Sequence, residues 1–169
     1  RGVFWPPVDP GNTKGVAALQ EIAPFFQLNK AKVGATIDGT DGYQGAGYAY
    51  PVLTAMEATE ADLVYNMTKA MVELFPEYDG NSPGIGGWSI DKQNMEWVVP
   101  YHEGAIKFYK EKGVWSDSAQ AHNDDLVARQ AALAAAWEAT KATAPADWTA
   151  AWGEARRKAL KDGGFKVVF

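Results

Sequence analysis

Residues Gly42–Leu74, GYQGAGYAYPVLTAMEATEADLVYNMTKAMVEL, decide how the rest of the chain is read. The opening run Gly42-Tyr43-Gln44-Gly45-Ala46-Gly47-Tyr48 sets glycines among aromatic rings. The backbone there can turn sharply or approach a ligand, while the rings offer flat, half-polar faces. A loop of that composition suits binding better than catalysis. Tyr48 to Met56 is predicted as a strand, and Pro51 within it removes a ladder donor, which marks an edge or a crossing between two bodies. Thr59 with Asp62 three residues on reads as the acidic variant of a capping box. Leu63, Met67, Ala70, Met71 and Leu74 then follow at helical spacing and give that helix one apolar face.

Upstream, Val3-Phe4-Trp5 is a short β-prone run ended by Pro6 and Pro7, with Val8 to Gly11 as loop. Trp5 at such a strand end is either a cleft wall or a core tryptophan. Asn12 can cap a helix from Thr13 to about Ala23, stopped by Pro24. Phe25, Phe26 and Leu28 form an apolar turn, and Val33, Ala35 and Ile37 alternate as a strand over Lys32 to Ile37.

Downstream, Asp79 to Gly87 is a glycine-rich loop, and Trp88 to Trp97 is mixed in character. A helix is predicted from about His102 to Lys112, with Gly113 as its stop. His102 falls in the first turn with no cysteine or serine motif beside it, so it reads as structural. Ser116 or Asp117 can cap a long alanine-rich helix to about Thr143. Pro145 and Asp147 open another, with Trp148 and Trp152 four apart on one face and Gly163-Gly164 at its end.

Composition excludes several classes. The chain has 169 residues, 47% of them hydrophobic, enough for a core. A net charge of -5 disfavours nucleic acid, whose backbone demands clustered Lys and Arg. With no cysteine there is neither a disulfide framework nor thiolate chemistry. No apolar run is long enough to span a membrane. Asp38 to Gly42 and Asp79 to Gly84 look at first like calcium loops, but Ala49 and Ile90 stand where the twelfth-position glutamate belongs, so no metal is expected. Gly42, Gly45 and Gly47 have the wrong order for a dinucleotide fingerprint, and no phosphate-loop motif occurs, so no cofactor is expected either.

Four stretches carry a family resemblance: Ala23-Pro24-Phe25-Phe26, Gly42-Tyr43-Gln44-Gly45, Glu60 to Ala70 (EADLVYNMTKA) and Pro100 to Gly113 (PYHEGAIKFYKEKG). Together they resemble, in consistent order from about Val3 to Trp115, the later part of the TAXI family of solute-binding proteins, the extracytoplasmic receptors of TRAP transporters. The resemblance implies an α/β fold, the later half of a two-lobe periplasmic-binding-protein-like arrangement, to which a C-terminal helical hairpin is appended. Residues 1–48 would form part of the second lobe and the ligand loop. Residues 49–115 would supply the crossing strand and part of the first lobe, and residues 116–169 a helical extension. The family is longer, so the chain is expected to be a fragment, any export signal having been lost with whatever preceded Arg1.

By that resemblance the protein is a periplasmic receptor and no enzyme. It would bind a small organic acid or similar polar metabolite and pass it to TRAP transporter membrane subunits. Tyr43 and Gln44 align with the family's tyrosine-containing loop and are the expected ligand contacts. Trp5, Tyr48 and Tyr50 are inferred as walls, Tyr48 and Tyr50 sharing a strand face. The arginines, Arg1, Arg129, Arg156 and Arg157, all lie outside the segments assigned to the cleft. A carboxylate clamp would therefore come from elsewhere, or hydroxyl, amide and backbone donors would replace it. One alternative is a carbohydrate-active enzyme of glycosidase type, for which tryptophans and Asp9, Asp38 and Asp41 would be the raw material. Another is a helical protein-interaction module, forming a homo-oligomer through the C-terminal helices with Trp148 and Trp152 as anchors.

Overall fold

Asn12 opens the first helix as its sequence implies: its side chain accepts a hydrogen bond from the Gly15 N–H at 3.0 Å, and α1 runs Thr13–Ile22. The computed structural model of the chain describes residues 3–37, 41–49 and 51–168. These fall into two compact units, Arg1–Gln93 and Asn94–Phe169.

In the first unit α1 is followed by an antiparallel hairpin of β1 (Gln27–Ala31) and β2 (Tyr43–Gly47), with Asn29 opposite Gly45 and Lys30 opposite Gln44. The strands lie elsewhere than their apolar patterns indicate. Lys32 to Ile37 is not a strand, because Gly34 (φ 147°) and Thr36 (φ 67°) leave the extended region and Ile37 N–H closes a turn onto Gly34 O at 2.9 Å. The glycine-aromatic segment expected as a loop is β2 itself. The expected crossing strand from Tyr48 to Met56 is irregular in its described residues. Pro51 offers no donor, and β1 is already paired with β2. Val3 to Trp5 is likewise no strand.

Helix α2 (Ala61–Glu73) starts at Glu60 without a side-chain cap. Thr59, the predicted cap, is instead held in a preceding turn by its N–H to Met56 O at 3.0 Å. Asp62 in the first turn still favours the helix electrostatically. After Leu74 a short α3 (Phe75–Tyr78) begins around Pro76, and two 3-10 turns, Ile85–Trp88 and Ile90–Lys92, complete the unit. Neither α1 nor α2 buries a residue.

The second unit carries most of the buried side chains. Helix α4 (Glu103–Glu111) is capped by His102, whose Nδ1 accepts from Gly104 N–H at 3.1 Å, and ends at Gly113 with φ 71°. It buries Ala105, Phe108 and Tyr109. Ser116 caps α5 (Asp117–Thr143), accepting from Ala119 N–H at 3.0 Å, and the run Ala131 to Ala136 supplies strong helix formers. A left-handed Ala144 turns the chain, and Asp147 caps α6 (Trp148–Asp162) through Ala150 N–H at 2.9 Å. The hairpin of α5 and α6 is locked by Trp137, whose ring meets Trp152 edge-on at 5.2 Å and Trp148 at 5.8 Å. Trp148 and Trp152 thus both pack on Trp137, and Trp148 keeps 43% of its surface exposed. The chain then doubles back, burying Val168 while Arg156 donates to the Val168 carbonyl.

Two hydrogen bonds tie α5 to the segment before α4. Buried Asn123 accepts the Tyr101 N–H at 2.7 Å, and His122 Nε2 meets Trp97 O at 2.6 Å. Asn123→Ala would leave the Tyr101 N–H without its partner. Urea unfolding should show a loss of about 1–3 kcal/mol, and an unchanged midpoint would remove this bond from the unit's essential contacts. Burial, reinforced by Tyr109, pushes the Tyr101 phenol up to about 12. The unfolded phenol ionises near pH 10, so this contribution is complete below about pH 10 and is lost as pH rises towards about 12. An alkaline stability curve should fall across that window, and Tyr101→Phe should flatten the fall; a curve identical in both proteins would contradict the assignment.

Candidate functional site

The β-hairpin positions the residues that the sequence singles out. Because side chains alternate along a strand, Tyr43, Gly45 and Gly47 share one face of β2 with Asn29 and Gln27 of β1, whereas Gln44 lies on the other with Lys30. The Tyr43 ring lies directly over Gly45: a Cβ there would stand 2.5 Å from a ring carbon. Gly42, with φ 96°, brings the chain into β2 so close to Ala31 O that a Cβ would lie 2.7 Å from it.

Trp5 and Tyr43 are brought together. Their ring centroids are 5.6 Å apart, the Tyr43 hydroxyl donates to Pro6 O, and Trp5 Nε1 donates to Ala35 O at 2.9 Å. Val8 N–H adds a backbone bond to Gln44 O at 3.0 Å. The arm from Trp5 to Val8 is thereby fixed along the hairpin, and Trp5 keeps 40% of its surface exposed. The ring pair presents a held, half-open aromatic face.

The other expected contacts separate from it. The Gln44 amide donates to Asn29 O at 3.3 Å and Gly45 O at 3.5 Å, bonds internal to the hairpin. Tyr48 joins a different cluster, meeting Phe25 and Phe26 edge-on at 6.2 and 6.1 Å. Tyr50 lies outside the described residues, as does Asp38.

The carboxylates offered for glycosidase chemistry have local partners. Asp9 accepts the Gly11 N–H at 2.8 Å in a turn. Asp41 pairs with Lys30 at 2.8 Å, and that hydrogen bond and charge hold its carboxyl below the usual range, the opposite of what a general acid requires. Among the described residues no group of three or more His, Asp or Glu is placed to hold a metal ion. In the second unit an open concavity is lined by Ile106, Lys107 and Gln120 with Glu103, Lys110 and Glu111, a mixed charged surface without convergent donors.

Rings held over bare backbone, beside side-chain amides, are the equipment of a recognition surface. The profile of the NMT1-like family matches residues 16–113, more than half of the chain, and the protein belongs to that family. The family is one of solute-binding-type proteins that take small-molecule ligands, and it includes TRAP-type and related periplasmic receptors. No curated protein and no solved structure matches the chain. No helix among the described residues is long and apolar enough to cross a membrane.

Asn29 escaped the sequence reading because Phe25 to Leu28 looked like an apolar turn. No alternation marks the segment, since apolar Leu28 and charged Lys30 share a face, and its strand character comes from pairing with β2. The Gly45 geometry yields a test. Gly45→Ala should displace the Tyr43 ring, abolish the Trp5–Tyr43 ring-to-ring NOE and cost about 1–3 kcal/mol. Gly47→Ala, whose methyl would meet Asn29 at an ordinary 3.7 Å, should preserve the NOE. Retention of the NOE in both variants would remove Gly45 from its role.

Proposed function

We propose that the chain is part of an extracytoplasmic receptor of a TRAP-type secondary transporter, of the TAXI kind. It binds a small organic acid or similar polar metabolite between two lobes in the periplasm and delivers it to the transporter's membrane subunits. In this proposal residues 1–48 contribute part of the second lobe with the ligand segment. Residues 49–115 cross to the first lobe, and residues 116–169 are a helical extension. The principal contact is Tyr43, with Trp5 beside it as a wall.

The observation that carries the reading is the Trp5–Tyr43 pair, supported by the family membership. Two large rings are anchored through their polar atoms to the carbonyls of Ala35 and Pro6, with ring surface left open. Ordering is completed before a ligand arrives, which lowers the entropic cost of binding. The work required is recognition, with no bond made or broken.

The test is calorimetric titration of the full-length protein with whichever small acid, amide or sugar raises its melting temperature. Tyr43→Ala removes both ring and hydroxyl and should weaken binding tenfold or more. Tyr43→Phe keeps the ring but loses the bond to Pro6, and should cost about 1 kcal/mol of stability with a smaller loss of affinity. Unchanged affinity in Tyr43→Ala, with the fold intact, would move the site away from this hairpin.

A further inference from the structure

If the hairpin binds solute as proposed above, its two faces cannot serve equally, and their chemistry distinguishes them. The Gln44 face is committed: the Gln44 amide is spent on Asn29 O and Gly45 O, and Lys30 on the same face is paired with Asp41. The Tyr43 face is open at one end. Gly45 is buried beneath the Tyr43 ring, whereas half-buried Gly47 leaves backbone bare of a side chain, with Asn29 3.7 Å from where a Gly47 Cβ would lie. Asn29 is exposed, and its side-chain amide has no hydrogen-bond partner among the described residues. It offers one acceptor and two donor hydrogens beside an aromatic ring. Gln27, Asn29, Ala31, Tyr43, Gly45 and Gly47 bring no carboxylate or ammonium to this face.

We infer that Asn29 is the specificity-determining polar contact of this site. The part of the solute that rests on the Gly47 backbone beside Asn29 is then uncharged, an amide, hydroxyl or carbonyl group next to the Tyr43 ring. Any charge the solute carries is neutralised away from this face. An exposed amide discriminates by hydrogen-bond direction rather than by charge, so a ligand lacking the matching group forfeits a bond that water would otherwise supply.

The experiment begins with a thermal-shift panel on the full-length protein using succinate, malate, L-glutamine and D-xylose as probes. If none raises the melting temperature, the receptor reading fails, and this inference with it. With a probe that does, Asn29→Ala should weaken calorimetric affinity about tenfold, whereas Gln44→Ala should change it less than threefold at equal melting temperature. Asn29→Asp, which keeps size and acceptor but adds a negative charge, should weaken an acidic probe more than a neutral one. If Gln44→Ala weakens binding and Asn29→Ala does not, the solute lies on the other face; the receptor reading then survives while this inference is overturned.

Discussion

The Tyr43 ring can lie where it does because Gly45 carries no side chain, and much of the first unit's local order follows from that. With the ring over the strand, its hydroxyl reaches Pro6 and its face meets Trp5, which in turn reaches Ala35 in the turn after β1. Arm, turn and strand are stitched by polar atoms at the ends of aromatic side chains. This matters in a unit where Ala23 and Ile37 are the buried hydrophobic residues among those described, whereas the second unit buries Phe108, Tyr109, Trp115 and Leu160 among others. A two-stranded hairpin has little stability by itself. Tethers of sequence separation 30 and 37 reinforce it from outside the ladder.

Helices were legible and strands were not, for a physical reason. A helix is specified by residues within one turn of each other, so Asn12, Ser116 and Asp147 announce their caps in sequence and the structure keeps them. His102 was read as structural and serves as a cap. A strand exists only through its partner. Val33, Ala35 and Ile37 alternate well yet fall in a turn, because Gly34 and Thr36 adopt positive φ, while polar Gln27–Ala31 finds Tyr43–Gly47 across the hairpin. Thr59 shows the same dependence on context at a helix start, where a turn with Met56 overrides a good capping pattern.

The candidate site was legible in composition and illegible in direction. Tyr43 and Trp5 stood out as large aromatics near glycines, and they meet. Treating Gln44 as the companion of Tyr43 assumed a loop, in which neighbours can point the same way. In a strand they diverge onto opposite faces, and the side chain sharing the Tyr43 face is Asn29 of the paired strand. Tyr48 follows the same logic: one residue beyond β2, it turns to Phe25 and Phe26 rather than to Trp5. Pairing register, which no single segment encodes, decided these outcomes.

The two units also differ in how far apart in sequence their ties lie. In the second unit Tyr101 reaches Asn123 and Trp97 reaches His122 across 22 and 25 residues, with the α5–α6 hairpin folding back on itself through a tight turn. The first unit's anchoring bonds span 30 and 37 residues and close around a strand of low intrinsic preference. Loops of these lengths differ in closure cost by only roughly 0.3 kcal/mol, so sequence separation does not decide which unit assembles first. What sets the first unit apart is the weak strand preference of its hairpin, which the aromatic tethers offset.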